Sequence, residues 1–94
     1  MIKSFDDKET EKLFNREMSR KIPPDIQQAA RRKLEILNAA ENISDLRSPP
    51  SNHLEKLKGE RKEQHSIRIN DKWRICFRWF GNDAFEVEIV DYHG

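Results

Sequence analysis

The chain has 94 residues, 35% of them hydrophobic and 37% charged, with a formal net charge of +1. That length suits one domain spanning residues 1–94 rather than two cores, and no stretch approaches the ~20 apolar residues of a bilayer-spanning helix. Met1-Ile2-Lys3-Ser4-Phe5 runs straight into Asp6-Asp7-Lys8-Glu9 without the apolar run of a secretory signal, and Cys76 has no second cysteine to pair with, so a reducing, cytoplasmic location is expected.

Met1 to Phe5 alternates apolar and polar residues and reads as a short opening strand. Asp6 with Glu9 resembles a capping box, and the helix it starts carries Leu13, Phe14 and Met18 on one side. Ile22-Pro23-Pro24-Asp25 ends that helix and primes a second, from about Asp25 to Glu41, because proline suits a first helical turn. Its apolar stripe is Ile26, Ala30, Leu34, Leu37 and Ala40, with Gln27, Gln28, Arg31, Arg32 and Glu35 on the opposite side. Periodicity then disappears from Ser44 to Lys62, around the turn-rich Ser48-Pro49-Pro50-Ser51-Asn52 and the break at Gly59. Within that loop, His53 to Lys58 reads as one short turn that places His53 and Lys56 on the same side.

The remainder reads as a β-meander: His65–Ile69, Trp73–Trp79 and Phe85–Ile89, separated by turns at Asn70-Asp71-Lys72 and Gly81-Asn82-Asp83. Period two gives a core face of Ile67, Ile69, Trp73, Ile75, Phe77, Trp79, Phe85, Val87 and Ile89. The other face carries Ser66, Arg68, Arg74, Cys76, Arg78, Phe80, Glu86, Glu88 and Val90, with Tyr92 following. The expected fold is α+β, in the order β-α-α-β-β-β, with two helices packed on one face of an antiparallel sheet.

On composition alone, the second face reads as a solvated surface with cross-strand ion pairs. Two features point further: Asp91-Tyr92-His93 directly follows a strongly apolar strand, and His53 and Lys56 stand in the long loop before the sheet. If these groups converge, they suit RNA cleavage by 2′-hydroxyl attack. That reaction needs a base, an acid for the leaving 5′-oxygen and cations for the charge on the phosphorane. His65 reads as structural, and Trp73 and Trp79 read as packing. His53 and His65 lack the spacing of a zinc site, so no metal or cofactor is expected.

Three blocks carry a family resemblance: Leu46 to Gly59, Gln64 to Arg74, and Val87 to His93. They resemble the HigB and GraT branch of the RelE/ParE toxin superfamily, and the similarity spans essentially the whole chain. The resemblance implies a RelE-like fold and the toxin of a type II toxin-antitoxin system, a metal-independent endoribonuclease that enters the A site of the 30S subunit within the 70S ribosome and cuts mRNA there. It also implies a HigA-like helix-turn-helix antitoxin and a toxin-antitoxin complex that binds operator DNA. By motif, the catalytic candidates are His53, Lys56, Arg68, Arg74, Asp91, Tyr92 and His93, with Asn70, Lys58 and Arg78 as RNA-binding candidates. In that scheme His93 handles protons with Asp91 orienting it, Tyr92 positions the nucleotide, and Arg68 and Arg74 hold the scissile phosphate. His53 and Lys56 add charge or proton transfer. Within the superfamily, ParE-like gyrase inhibition is the alternative, and a non-catalytic RNA-binding module is another.

Overall fold

The computed structural model describes residues 1–61 and 63–91, so the expectations placed on Tyr92 and His93 lie outside the described residues. The α+β class expected from the sequence is the one observed. Helices α1 (Lys8–Phe14) and α2 (Pro24–Ala39) precede strands β1 (Glu55–Lys56), β2 (His65–Arg68), β3 (Trp73–Phe80) and β4 (Asp83–Asp91). The strands pair antiparallel in the order β1-β2-β3-β4. The opening segment does not form a continuous strand. Ile2 and Phe5 make isolated parallel bridges to Ala84 and Val87, held by Lys3 N–H to Ala84 O at 2.8 Å and Asp6 N–H to Val87 O at 2.9 Å.

That pairing moves the first helix cap by one residue. Asp6 is still engaged with β4, so the extended residue able to cap is Asp7 (φ −147°, ψ 152°), whose carboxylate accepts from Thr10 N–H at 2.7 Å. The helix ends by Asn15, and Arg16 turns the chain at positive φ, so Met18 leaves the stripe and stands 81% exposed. Helix α2 starts at Pro24, one residue before the expected Asp25, and stops at Ala39 because Ala40 is extended (ψ 134°).

Helix α2 buries Ile26, Ala30, Leu34 and Leu37 at the expected 3.6-residue spacing. Gln27, expected on the polar side, is buried as well. Its Nε2 donates to the carbonyls of Ser19 (2.9 Å) and Ile22 (2.7 Å), giving partners to two carbonyls of the segment between the helices. Leu13, Leu46, Ile67, Ile75, Phe77, Ala84 and Val87 complete a core closed between helices and sheet.

The sheet's two faces depart from simple alternation at one point. The β3–β4 register slips between Cys76 and Arg78, where Glu86 takes a positive φ of 54° and forms a bulge. Beyond it, Ala84 stands opposite Trp79 and is fully buried, whereas Phe85 stands opposite Arg78. Phe85 therefore lies on the face of Arg78 and not in the core, because one extra residue inverts the period-two reading. Nor is the second face uniformly exposed: Ser66, Arg74 and Cys76 are buried on it.

Candidate functional site

The loop before the sheet positions the first candidates. It contains 3-10 turns at Ile43–Arg47, Pro50–Asn52 and Gly59–Arg61, with the edge strand β1 between the last two. The expected turn from His53 to Lys58 is absent. Glu55 and Lys56 instead pair with Ser66 and His65, since an open β2 edge offers backbone partners that an isolated turn lacks. Asn52 is fully buried and ties the loop down, with Nδ2 donating to Leu46 O at 3.0 Å and Ser48 O at 3.3 Å. His53 follows in the left-handed region (φ 43°, ψ 57°), uncommon for residues other than glycine although histidine enters it more readily than most.

Arg74 holds the carbonyl of this residue. Only 7% exposed, it donates from Nε to Ser66 Oγ at 2.8 Å and from Nη2 to the carbonyl of His53 at 2.6 Å, with Glu55 Oε1 4.0 Å away. The guanidinium thus fastens the His53 loop to strands β2 and β3. An arginine can do this because its planar fork presents several donors at fixed angles.

Four of the chain's proton-carrying or cationic groups then meet, Arg47 among them. His53, Lys56 and His65 line one groove of about 480 Å³, together with Arg47, Pro50 and Leu54. Lys56 stands directly opposite His65 in the β1–β2 ladder, and His65 stacks on Phe77 with ring centroids 6.2 Å apart. His65 was expected to be structural, yet it is a wall of this groove. The signal that finds it is its register with Lys56, invisible until β1 is known to pair. Its Nδ1 is buried without a partner among the described residues. Burial, and secondarily the Lys56 charge, hold its pKa below the ordinary histidine value. Both effects disfavour the protonated ring, so near neutral pH it is an uncharged imidazole beside Lys56.

The remaining candidates lie outside the lining of this groove. Arg68 stands opposite Arg74 in the β2–β3 ladder and pairs with Asp71. Asn70 caps the β2–β3 turn, its Oδ1 accepting from Lys72 N–H (2.9 Å) and Trp73 N–H (2.8 Å), which leaves its amide nitrogen for other work. Asp91 stands opposite Trp73, on the face of Ile75 and Ile89, and lies 3.5 Å from Lys72 Nζ. It is therefore on the other face from Arg74. Arg78 pairs with Glu86 (2.6 Å) at the far end of β3, beside Phe80 and Phe85, and Lys58 is exposed. The structure thus joins His53, Lys56 and Arg74 locally and sets Arg78 apart. Cys76 is buried with its thiol pKa pushed up by burial, which suits packing and not nucleophilic chemistry. Among the described residues, no three histidine, cysteine or acidic side chains are grouped to hold a metal ion, and no helix is long and apolar enough to cross a membrane.

Comparison with known proteins places this geometry in context. A family profile described as a RelE-like toxin of the type II toxin-antitoxin system HigB matches residues 3–93. Toxin HigB-1 of Vibrio cholerae is 45% identical over 80 residues, covering 84% of this chain and 84% of that protein. The endoribonuclease HigB of Proteus vulgaris is 31% identical over 93 residues, covering 99% of this chain and 100% of that protein. An uncharacterized protein of Haemophilus influenzae is 43% identical over 64 residues, and the match spans 63% of that protein's length.

Proposed function

Because the chain belongs to the RelE-like HigB toxin family of type II toxin-antitoxin systems, we propose that it is an endoribonuclease that cuts mRNA and so arrests translation. Membership implies an antitoxin partner. The finer reading is ours: cutting takes place on mRNA in the A site of the ribosome, in the cytoplasm, and the antitoxin is a helix-turn-helix protein whose complex with the toxin binds operator DNA.

The observation that carries the reading is the groove in which His53, Lys56 and His65 meet, braced by Arg74 through the His53 carbonyl. In-line cleavage of RNA requires a base to take the proton of the 2′-hydroxyl as its oxygen attacks phosphorus. It also requires cations for the negative charge of the phosphorane, and an acid to protonate the departing 5′-oxygen. The products are a 2′,3′-cyclic phosphate and a 5′-hydroxyl. A neutral imidazole suits the first step and a protonated histidine the last. Lys56 supplies charge, and Arg74 sets the position of His53. Asp91, the last residue of β4, and Tyr92 and His93, next in the sequence, remain the proposed groups for proton transfer and for stacking the nucleotide.

The test is the mapping of mRNA 3′ ends in a translating extract. Wild-type protein is expected to create new ends, and His53→Ala and Lys56→Gln to reduce them at least tenfold, a loss of about 1.4 kcal/mol or more at the transition state. Undiminished cutting by both folded variants would remove this groove from the mechanism.

A further inference from the structure

A second groove lies on the other side of the Pro50–Asn52 turn. Its walls are helix α2, through Arg32, Lys33 and Ile36, and the end of β2, through Arg68 and Asn70, with Ser51 on the turn between. Its volume is about 530 Å³. The turn is a shared ridge, since Pro50 lines the first groove and Ser51 the second.

Three cationic side chains and no carboxylate line this second groove. Among the described residues, Arg68 is ion-paired with Asp71. Lys33 is held in place by neutral oxygens, with Nζ 2.6 Å from Asn52 Oδ1 and 3.1 Å from Ser51 Oγ. Asn52 is itself fixed by its bonds to Leu46 O and Ser48 O. Burial, and secondarily the charge of Arg32, lower the Lys33 pKa. Cationic side chains lining one groove, with neutral anchors and no carboxylate in its wall, make a surface that favours an anion.

We infer that this groove is a phosphate-binding subsite for the RNA backbone, gripping one or two phosphates beside the segment in the first groove. The inference rests on the endoribonuclease reading and adds to it the place where RNA is held away from the cut. Arg32 and Lys33 on α2 are the new residues, and Ser51 and the Asn70 amide provide neutral donors at the rim. Contacts of this kind position a strand without reading its sequence. The same chemistry serves a strand of mRNA or a loop of ribosomal RNA.

The test uses the full chain and an uncleavable 2′-O-methyl single-stranded RNA oligonucleotide, with binding followed by fluorescence anisotropy across a salt series. A second arm measures binding to purified ribosomes. Arg32→Ala keeps a good helix former at an exposed position, so the fold is expected to persist, as a thermal melt will confirm. It is expected to weaken binding several-fold and to lower the slope of log K against log salt by about 1, equally for different sequences. Arg32→Lys is expected to restore most of the slope, and Arg20→Ala, an exposed arginine outside both grooves, to change nothing. A loss with the oligonucleotide identifies the occupant as a single strand. A loss confined to ribosomes identifies it as ribosomal RNA. The inference is overturned if wild type binds and cuts while Arg32→Ala matches it in both arms at every salt concentration. If wild-type protein binds neither RNA nor ribosomes, the endoribonuclease reading fails first.

Discussion

Replacing Arg74 with methionine keeps most of the side chain's length and removes its charge and donors. The structure sets the scale of the effect. Among the described residues, two hydrogen bonds from a charged donor are lost, to Ser66 Oγ at 2.8 Å and His53 O at 2.6 Å, and the fully buried Ser66 hydroxyl loses that partner. Hydrogen bonds to charged groups contribute about 1.5–3 kcal/mol each, and removing one member of a buried charged pair costs about 3–5 kcal/mol. We expect roughly 3–5 kcal/mol here, a large part of the total of about 5–15 kcal/mol for a native domain. For a domain of this size that is a fall in Tm of roughly 12–40 °C, read by circular dichroism. Arg78→Met is the matched control, because its ion pair with Glu86 is exposed and such pairs contribute about 0–1 kcal/mol. A double variant with Ser66→Ala is expected to lose less than the sum of the two single losses, since the orphaned hydroxyl is gone. Arg74→Met that melts within a few degrees of Arg78→Met would refute the claim that Arg74 braces the site.

Three further outcomes are expected. Asp7→Ala removes the α1 cap and the 2.8 Å bond from Thr10 Oγ1, and should cost about 0.5–2 kcal/mol in urea unfolding. His65 has a folded pKa below its unfolded value of about 6.5, so the unfolded chain binds the extra proton first as pH falls. Its contribution is fully present above pH 6.5 and is lost as pH falls through the folded pKa, so His65→Gln should flatten the loss of stability between neutral and mildly acidic pH; parallel curves would show that the ring titrates freely. Cys76 should resist a thiol reagent in the native protein and react at once in denaturant, because its buried thiol forms little thiolate.

What the sequence made legible was the repetitive structure. The α2 stripe and the alternating strands β2 and β3 followed from hydrophobic period, which reports the buried side of an element directly. The errors arose where one residue's backbone decides the outcome. Asp6 and Asp7 are chemically alike, and only the pairing of Asp6 with Val87 selects the cap. Glu86 in a left-handed conformation inverts the face of Phe85, and nothing in a glutamate's chemistry announces a bulge. The site was legible in part for the same reason. Motif resemblance pointed to His53, Lys56 and Arg74. It could not reveal that Arg74 acts through the His53 backbone, or that His65 faces Lys56, because both depend on β1, a strand of two residues with no periodicity to read.

The central claim is endoribonucleolytic cutting by proton transfer, and the chemistry of the RNA ends tests it most directly. Wild-type protein in a translating extract should leave new mRNA ends bearing a 2′,3′-cyclic phosphate, or the 3′-phosphate it hydrolyses to, opposite a 5′-hydroxyl. Translation arrest without new ends, or ends bearing a 5′-phosphate and a 3′-hydroxyl, would contradict it.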